Sequence, residues 1–262
     1  HSQPNSLCKP LVSPTHCAAL VASSPPICDR LKKLYRFMSD SVMQVNIGTF
    51  VDDRCACFND PQRIPSMVLI QSLERISDFE PLLNALRHLM LDGREFVAAI
   101  MGKGRADRRL HRRINELGLN ERIAVVGPMR PLRNILAGAD IFLQLQPVTD
   151  AFTNVLDAMS VGMAIASCRQ GAEGILTENE TALFFDPHDE LSLYSSLKNL
   201  LDDRDKARQM AQAGQDYIRR EHSVSRMVEE LIAVYSMAQD WFKKSVESPE
   251  PEDLSPSRTE ER

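Results

Sequence analysis

The chain has 262 residues, with 31 Lys and Arg against 36 Asp and Glu for a formal charge of −5, and it is 43% hydrophobic and 26% charged. That composition belongs to a globular protein able to bury a sizeable core, and it excludes a chain disordered throughout. No apolar stretch approaches the roughly 18 residues of a spanning helix and no signal-peptide pattern opens the sequence, so a cytoplasmic site is expected.

The sequence begins at His1, in a polar stretch holding Pro4, Pro10 and Pro14, which reads as a processed, cut or partial chain. Short apolar runs then alternate with helical patterns. The runs are Val42 to Ile47, Met67 to Gln71, Phe96 to Met101, Arg122 to Val126, Asp140 to Leu145, Met163 to Ser167 and Ala182 to Phe185. Most are continuously apolar, as parallel strands covered on both faces are. Between them Phe79, Leu82, Leu83, Leu86 and Leu89 make one helical face, and Leu110, Ile114 and Leu117 make another that Gly118 ends. Strand-helix alternation predicts an α/β fold with a doubly wound, mostly parallel sheet.

After Phe185 the pattern is helical only. Asp186-Pro187 reads as cap and start of a helix through Leu191, Tyr194, Leu197 and Leu201; two more follow, around Met210 to Ile218 and from Ser223 to about Phe242. From Ser245 to Arg262 three prolines and no apolar period predict a disordered acidic tail. Its two arginines and six acids carry −4 of the total charge, so the body is near neutral.

Ligands of an open α/β sheet bind beyond the carboxyl ends of its strands. Three strings fall there. Met101-Gly102-Lys103-Gly104-Arg105 follows an apolar run and precedes a helix; Gly-x-Gly lets backbone approach a phosphate, and the helix end offers free amides. Asp107 stands where a dinucleotide fingerprint has its third glycine, so a plain strand-to-helix turn is the competing reading. In the second string Asp150 and Asp157 flank a helix start capped by Thr153 or Asn154. Amides there suit a diphosphate and a carboxylate accepts from sugar hydroxyls, while spacing alone favours a helix-entry acid and a solvated one. The third, Cys168-Arg-Gln-Gly171-Ala-Glu-Gly174, turns from a run into a short helix.

The remaining polar groups point less clearly to a ligand. Six scattered cysteines, with only Cys55-x-Cys57 close together, and six dispersed histidines fit neither a disulfide framework nor a zinc site. Arg105, Arg108, Arg109, Arg112 and Arg113 make a basic helix. A near-neutral body with 6% aromatic residues favours a solvated face over a nucleic-acid surface; peripheral contact with an anionic membrane is the other reading kept.

Taken in order, the strings resemble the nucleotide-binding half of retaining GT-B glycosyltransferases, the family of sucrose, mannose and lipopolysaccharide glycosyl transferases. The resemblance runs from about Val42 to Tyr235. It is carried by Ile100-Met-Gly102-Lys-Gly104 with Glu116-Leu-Gly-Leu119, by Val125-Val-Gly127, and by Leu136-Ala-Gly-Ala-Asp140-Ile-Phe-Leu. Asn154-Val-Leu-Asp157-Ala-Met-Ser-Val-Gly162 is similar to "NvllEAMa.G", and Gly171-Ala-Glu-Gly-Ile-Leu with Thr181-Ala-Leu-Phe-Phe-Asp-Pro-His-Asp189 to "GG..EiI.dg.tGlL..p.D".

The resemblance implies a Rossmann-like half of GT-B and a nucleotide-diphosphate sugar as donor substrate, with no metal and no separate cofactor. The donor-binding set it implies is Gly102, Gly104, Arg75, Lys103, Asp150, Asn154, Val155, Leu156, Asp157 and Gly171. In the family's Glu-x7-Glu motif the first acid meets the sugar, the second holds the ribose, and amides between them meet the diphosphate. Asp157 matches the second acid by type; Asp150 matches the first only if one residue is deleted, and otherwise Thr149 stands there. The family's phosphate-neutralising Arg and Lys fall on Ser72 and Ser77, with Asp78 in place of a glycine, so that Arg75 is the only nearby cation in that segment.

The resemblance further divides the chain into a remnant of an N-terminal acceptor domain with its linker (1–44), a donor-binding domain with C-terminal helices (45–244) and the tail (245–262). Most of the acceptor domain, with any catalytic base it holds, is then missing. The expected function is sugar transfer to an acceptor that the sequence does not name, with retention. The alternative is a non-catalytic binding or scaffolding module that kept the fold.

Overall fold

The computed structural model describes residues 17–147, 153–169 and 174–247. These residues form two compact units, with boundaries after Asn46 and after Arg226. In the smaller, β1 (Leu20–Ala22) pairs in parallel with β2 (Val42–Gln44), joined by α1 (Pro25–Leu34) and a 3-10 turn over Arg36–Ser41. Ala22, Cys28 and Val42 close a small core there. Most of the last helix, α8 (Val224–Glu247), belongs to this unit, where the Asn46 amide donates to Glu230 at 2.9 Å. The Val42 to Ile47 run therefore lies outside the main sheet: local apolarity marks a strand but does not say which strand it pairs with.

The larger unit carries six parallel strands: β3 (Ser66–Ile70), β4 (Val97–Met101), β5 (Ile123–Val126), β6 (Ile141–Gln144), β7 (Ala164–Cys168) and β8 (Ala182–Phe185). Their spatial order is β5-β4-β3-β6-β7-β8. The chain thus winds outward from β3 in one direction, returns to β6 and winds outward in the other. The carboxyl ends of β3 and β6 form the switch point where such a sheet opens a crevice.

Alternation along each strand sends side chains to two separate cores. Met67 and Leu69 of β3 join Leu82 and Leu86 of α2 (Glu80–Leu91), Leu110 and Ile114 of α3 (Asp107–Glu116), and Leu193 and Leu197 of α6 (Glu190–Asp202). Val68 faces Leu136 of α4 (Leu132–Leu136), Val155 and Met159 of α5 (Thr153–Ser160), and Ile218 of α7 (Arg204–Glu221). Coverage on both faces is why β6 and β7 are buried at every residue. Truncating one of these wholly buried leucines to alanine costs about 2–5 kcal/mol.

The opposite end of the switch point is fixed by Asp140, 1% exposed. It accepts from the amides of Phe58 and Ser66 (both 2.8 Å), the Ser66 hydroxyl (2.9 Å) and Arg63 (2.7 Å). Four donors offset the cost of desolvating the carboxylate and hold the segment before β3 against β6.

The helix predicted to start at Asp186-Pro187 begins later. The Asp186 carboxylate accepts from the His188 amide at 2.9 Å in a local turn, and Asp189 caps α6 by accepting from Leu191 at 2.9 Å. Helix α7 starts at Arg204, capped by Asp203, ahead of the predicted Met210, and α8 continues two residues past Ser245. Residues 248–262 lie outside the described residues. Among the described residues no helix is long and apolar enough to cross a membrane.

Candidate functional site

A cleft of about 590 Å³ opens beyond the carboxyl ends of β3, β4 and β5. One wall holds Gln71 and Ser72, and the next holds Gly102 and Lys103. The loop after β5 adds Pro128, Met129 and Arg130, and Thr153, Asn154 and Asp157 of α5 complete the ring. Six of these, Ser72, Gly102, Lys103, Thr153, Asn154 and Asp157, are positions the sequence singles out.

The glycines act through shape. A Cβ on Gly102 would stand 2.0 Å from the Gln71 carbonyl oxygen, and one on Gly104 would stand 2.1 Å from that of Leu73. The two loops are in backbone contact: Gln71 donates to Met101 at 3.1 Å, Leu73 to Lys103 at 3.0 Å, and Ala106 to Leu73 at 2.8 Å. The Gly102 amide is itself taken by the Val126 carbonyl at 2.9 Å. Gly-x-Gly here seats one loop on another and so presents Lys103, which is exposed; it does not offer the Gly102 amide to a phosphate.

Helix α5 begins at Thr153, so Thr153 and Asn154 lie in its first turn and do not form its cap. Val155 and Leu156 are buried whole in the core (0% and 1% exposed), so the part of α5 that lines the cleft is Thr153, Asn154 and Asp157. The first four amides of a helix have no intrahelical acceptor and carry its positive dipole end. Asp157, half-buried, accepts from the Thr49 hydroxyl at 3.0 Å. Thr49 is held in turn by its amide to the His222 carbonyl (2.8 Å) and a bridge to Ser223. Asp150, Thr149 and Gly171 lie outside the described residues.

A second cleft, about 810 Å³, opens beyond β6, β7 and β8 and is lined by Arg75, Ser77, Asp78, Gln146, Arg169 and His188 among others. Arg75 therefore does not share a cleft with Lys103 and Asp157. Its guanidinium pairs with Asp78 at 3.1 Å, and Asp78 also accepts from Gln146 at 3.1 Å. Arg169 pairs with Glu178 at 3.0 Å. Of the predicted basic helix, Arg105 lies in the turn before α3 and is paired with Glu74 at 3.1 Å, and Arg113 on α3 is paired with Glu80 and Glu116 at 3.0 and 3.3 Å.

Arg130, Thr49 and Gln71 are site residues that motif reading did not single out. Both polar atoms of the Gln71 side chain are buried without a hydrogen-bond partner among the described residues. Its only sequence signal was its place at the end of an apolar run. Among the described residues no group of three or more His, Cys, Asp or Glu is placed to hold a metal.

The family described as glycosyl transferases group 1 matches residues 61–217. A comparison with the curated proteins finds no match. Among solved structures, a glycosyltransferase from Rickettsia africae superposes with a TM-score of 0.68 at 16% identity, over 85% of this chain and 64% of that one. Sucrose-phosphate synthase from Thermosynechococcus elongatus gives 0.65 at 18% identity, over 88% and 59%. Anabaena HepE, solved in complex with UDP, gives 0.63 at 14% identity, over 88% and 64%. The chain thus spans less than two thirds of each, and likeness at these identities is a likeness of fold.

Proposed function

This chain belongs to the glycosyl transferases group 1 family, and we propose that its larger unit binds a nucleotide-diphosphate sugar and takes part in transferring the sugar to an acceptor, with retention. The observation that carries this reading is the cleft at the switch point. It gathers the exposed Lys103, the first turn of α5 and the carboxylate of Asp157 around about 590 Å³. In this reading Asp157 accepts hydrogen bonds from the ribose hydroxyls, and the α5 amides with Lys103 meet the diphosphate. In this reading the acceptor side and any group acting on the acceptor hydroxyl lie outside the larger unit.

A second reading is supported by the loop after β3. With Ser72 and Ser77 where the resembled family has cations, and Arg75 tied to Asp78, that loop brings no free positive charge. A binding or scaffolding module that kept the fold is consistent with it. Calorimetry of the chain with UDP, GDP and ADP sugars separates the two. A donor site gives saturable binding by one of them, weakened at least about tenfold in Asp157→Ala, a change worth about 1.4 kcal/mol. Absence of binding by all three sinks the transferase reading and leaves the scaffold.

A further inference from the structure

We propose that Lys103 and Arg130 together supply the positive charge for the ligand's diphosphate, from the loops after β4 and β5 and not from the loop after β3. The inference rests on the donor-site reading above and names the cations of that same site. Ser72, the position of the resembled family's Arg, lines the same cleft as Lys103 and Arg130, so the charge lost at one wall is restored inside the same space.

The ion pairs single these two out. Around the carboxyl ends of the strands, Arg75 is taken by Asp78, Arg105 by Glu74, Arg169 by Glu178 and Arg133 by Asp52. Lys103 and Arg130 are exposed, line the cleft, and have no carboxylate within ion-pair distance among the described residues. They are also neighbours along the chain path: the Lys103 Cε lies 3.8 Å from where a Cβ on Gly127 would stand, at the start of the loop that carries Arg130. The Lys103 backbone is pinned by the Leu73 amide at 3.0 Å, so its position is set while its ammonium stays available.

Two positive charges lining one cleft against the single carboxylate of Asp157 raise the local potential, and an anion entering the cleft relieves it. The first turn of α5 adds the positive end of its dipole to the same cavity. A diphosphate, with charge spread over two linked groups, matches two separated cations better than one. Arg130 offers a fork of donors and Lys103 a point charge.

The test is calorimetry of the whole chain at low salt with UDP, GDP and ADP, and with uridine, guanosine and adenosine as uncharged probes. The wild-type chain is expected to bind its preferred nucleoside diphosphate at least about tenfold tighter than the nucleoside. Arg130→Met and Lys103→Met should each weaken diphosphate binding about tenfold, the loss of one charge-assisted contact, while leaving nucleoside binding and the melting temperature in place. Arg130→Lys should recover part of the loss, and Arg75→Met should behave as wild type. Raising salt from about 50 to about 200 mM should weaken the wild type more than the double variant. Diphosphate binding unchanged in both single variants, or lost in Arg75→Met, overturns the assignment while Asp157→Ala can still uphold the donor site. No binding of any nucleotide by the wild-type chain removes the donor site and this assignment together.

Discussion

Asp157 is one methylene shorter than the glutamate of the motif it resembles, about 1.5 Å less reach, and its surroundings fix the carboxylate. The Thr49 hydroxyl holds one of its oxygens at 3.0 Å, and Thr49 is itself fixed by His222 and Ser223. Three segments far apart in sequence thus converge on one acid. None of that is legible in the order of residues, because Thr49 and Asp157 lie 108 positions apart. Arg130 escaped for a related reason: nothing beside it in sequence marks a ligand, and only the strand order brings the loops after β4 and β5 to one cleft. Asp157 and Lys103 were legible because each sits inside a short string whose glycines and apolar positions repeat a known pattern. The cysteines carry a prediction of their own. Burial is the main cause that pushes the Cys57 thiol up to about 12, with repulsion from Cys55 next. A thiol whose proton is held more tightly in the folded than in the unfolded chain costs nothing below the unfolded value near 8.5 and destabilises the fold as pH rises above it. Unfolding midpoints measured from pH 8 to 11 should therefore fall, and Cys57→Ala should flatten part of that fall. Tyr217, raised by burial, acts with the same sign. A midpoint that holds steady to pH 11 in the wild type would count against the buried thiol.

At the scale of elements, the contact between the loops after β3 and β4 is the least forgiving joint of the site. Gly104 has backbone, not a flexible side chain, where a Cβ would go. Gly104→Ala should lower the unfolding free energy by about 1–3 kcal/mol, the range for overpacking, and displace Lys103 with its loop. Gly127→Ala, where the nearest atom is the Lys103 Cε at 3.8 Å, is the control and should keep its urea midpoint. Equal midpoints in the two variants would disprove the account of the joint. The elements themselves were largely readable: six apolar runs became the strands of the main sheet to within one or two residues, since burial on both faces demands continuous apolarity. What misled was chemistry that recurs within a few residues. Asp186 and Asp189 both accept from an amide two positions on, so the first passes for a helix cap although the helix waits for the second. The Val42 run erred differently, as a true strand assigned to the wrong sheet.

For the whole molecule, net charge says little about the ligand. The −5 resides mostly in the segment after Ser245, and the local balance at the cleft is opposite in sign. The two clefts flank the loop after β3, and the ion pairs distinguish them: the larger has its arginines matched by acids, the smaller does not. The order β5-β4-β3-β6-β7-β8 has one more consequence. Every strand on one side of the β3–β6 seam precedes every strand on the other in sequence, and a single connection between β5 and β6 joins the two sets. The larger unit is therefore divisible by a single cut. Two separately made polypeptides, 1–138 and 139–262, would each bring three adjacent strands and one side of the cleft. They should reassociate along Met67↔Ile141 to Leu69↔Leu143, with Asp140 of one engaging Ser66 of the other. Nucleotide binding would then report their reunion, appearing on mixing and absent from either piece alone, and binding by an unmixed piece would refute the division.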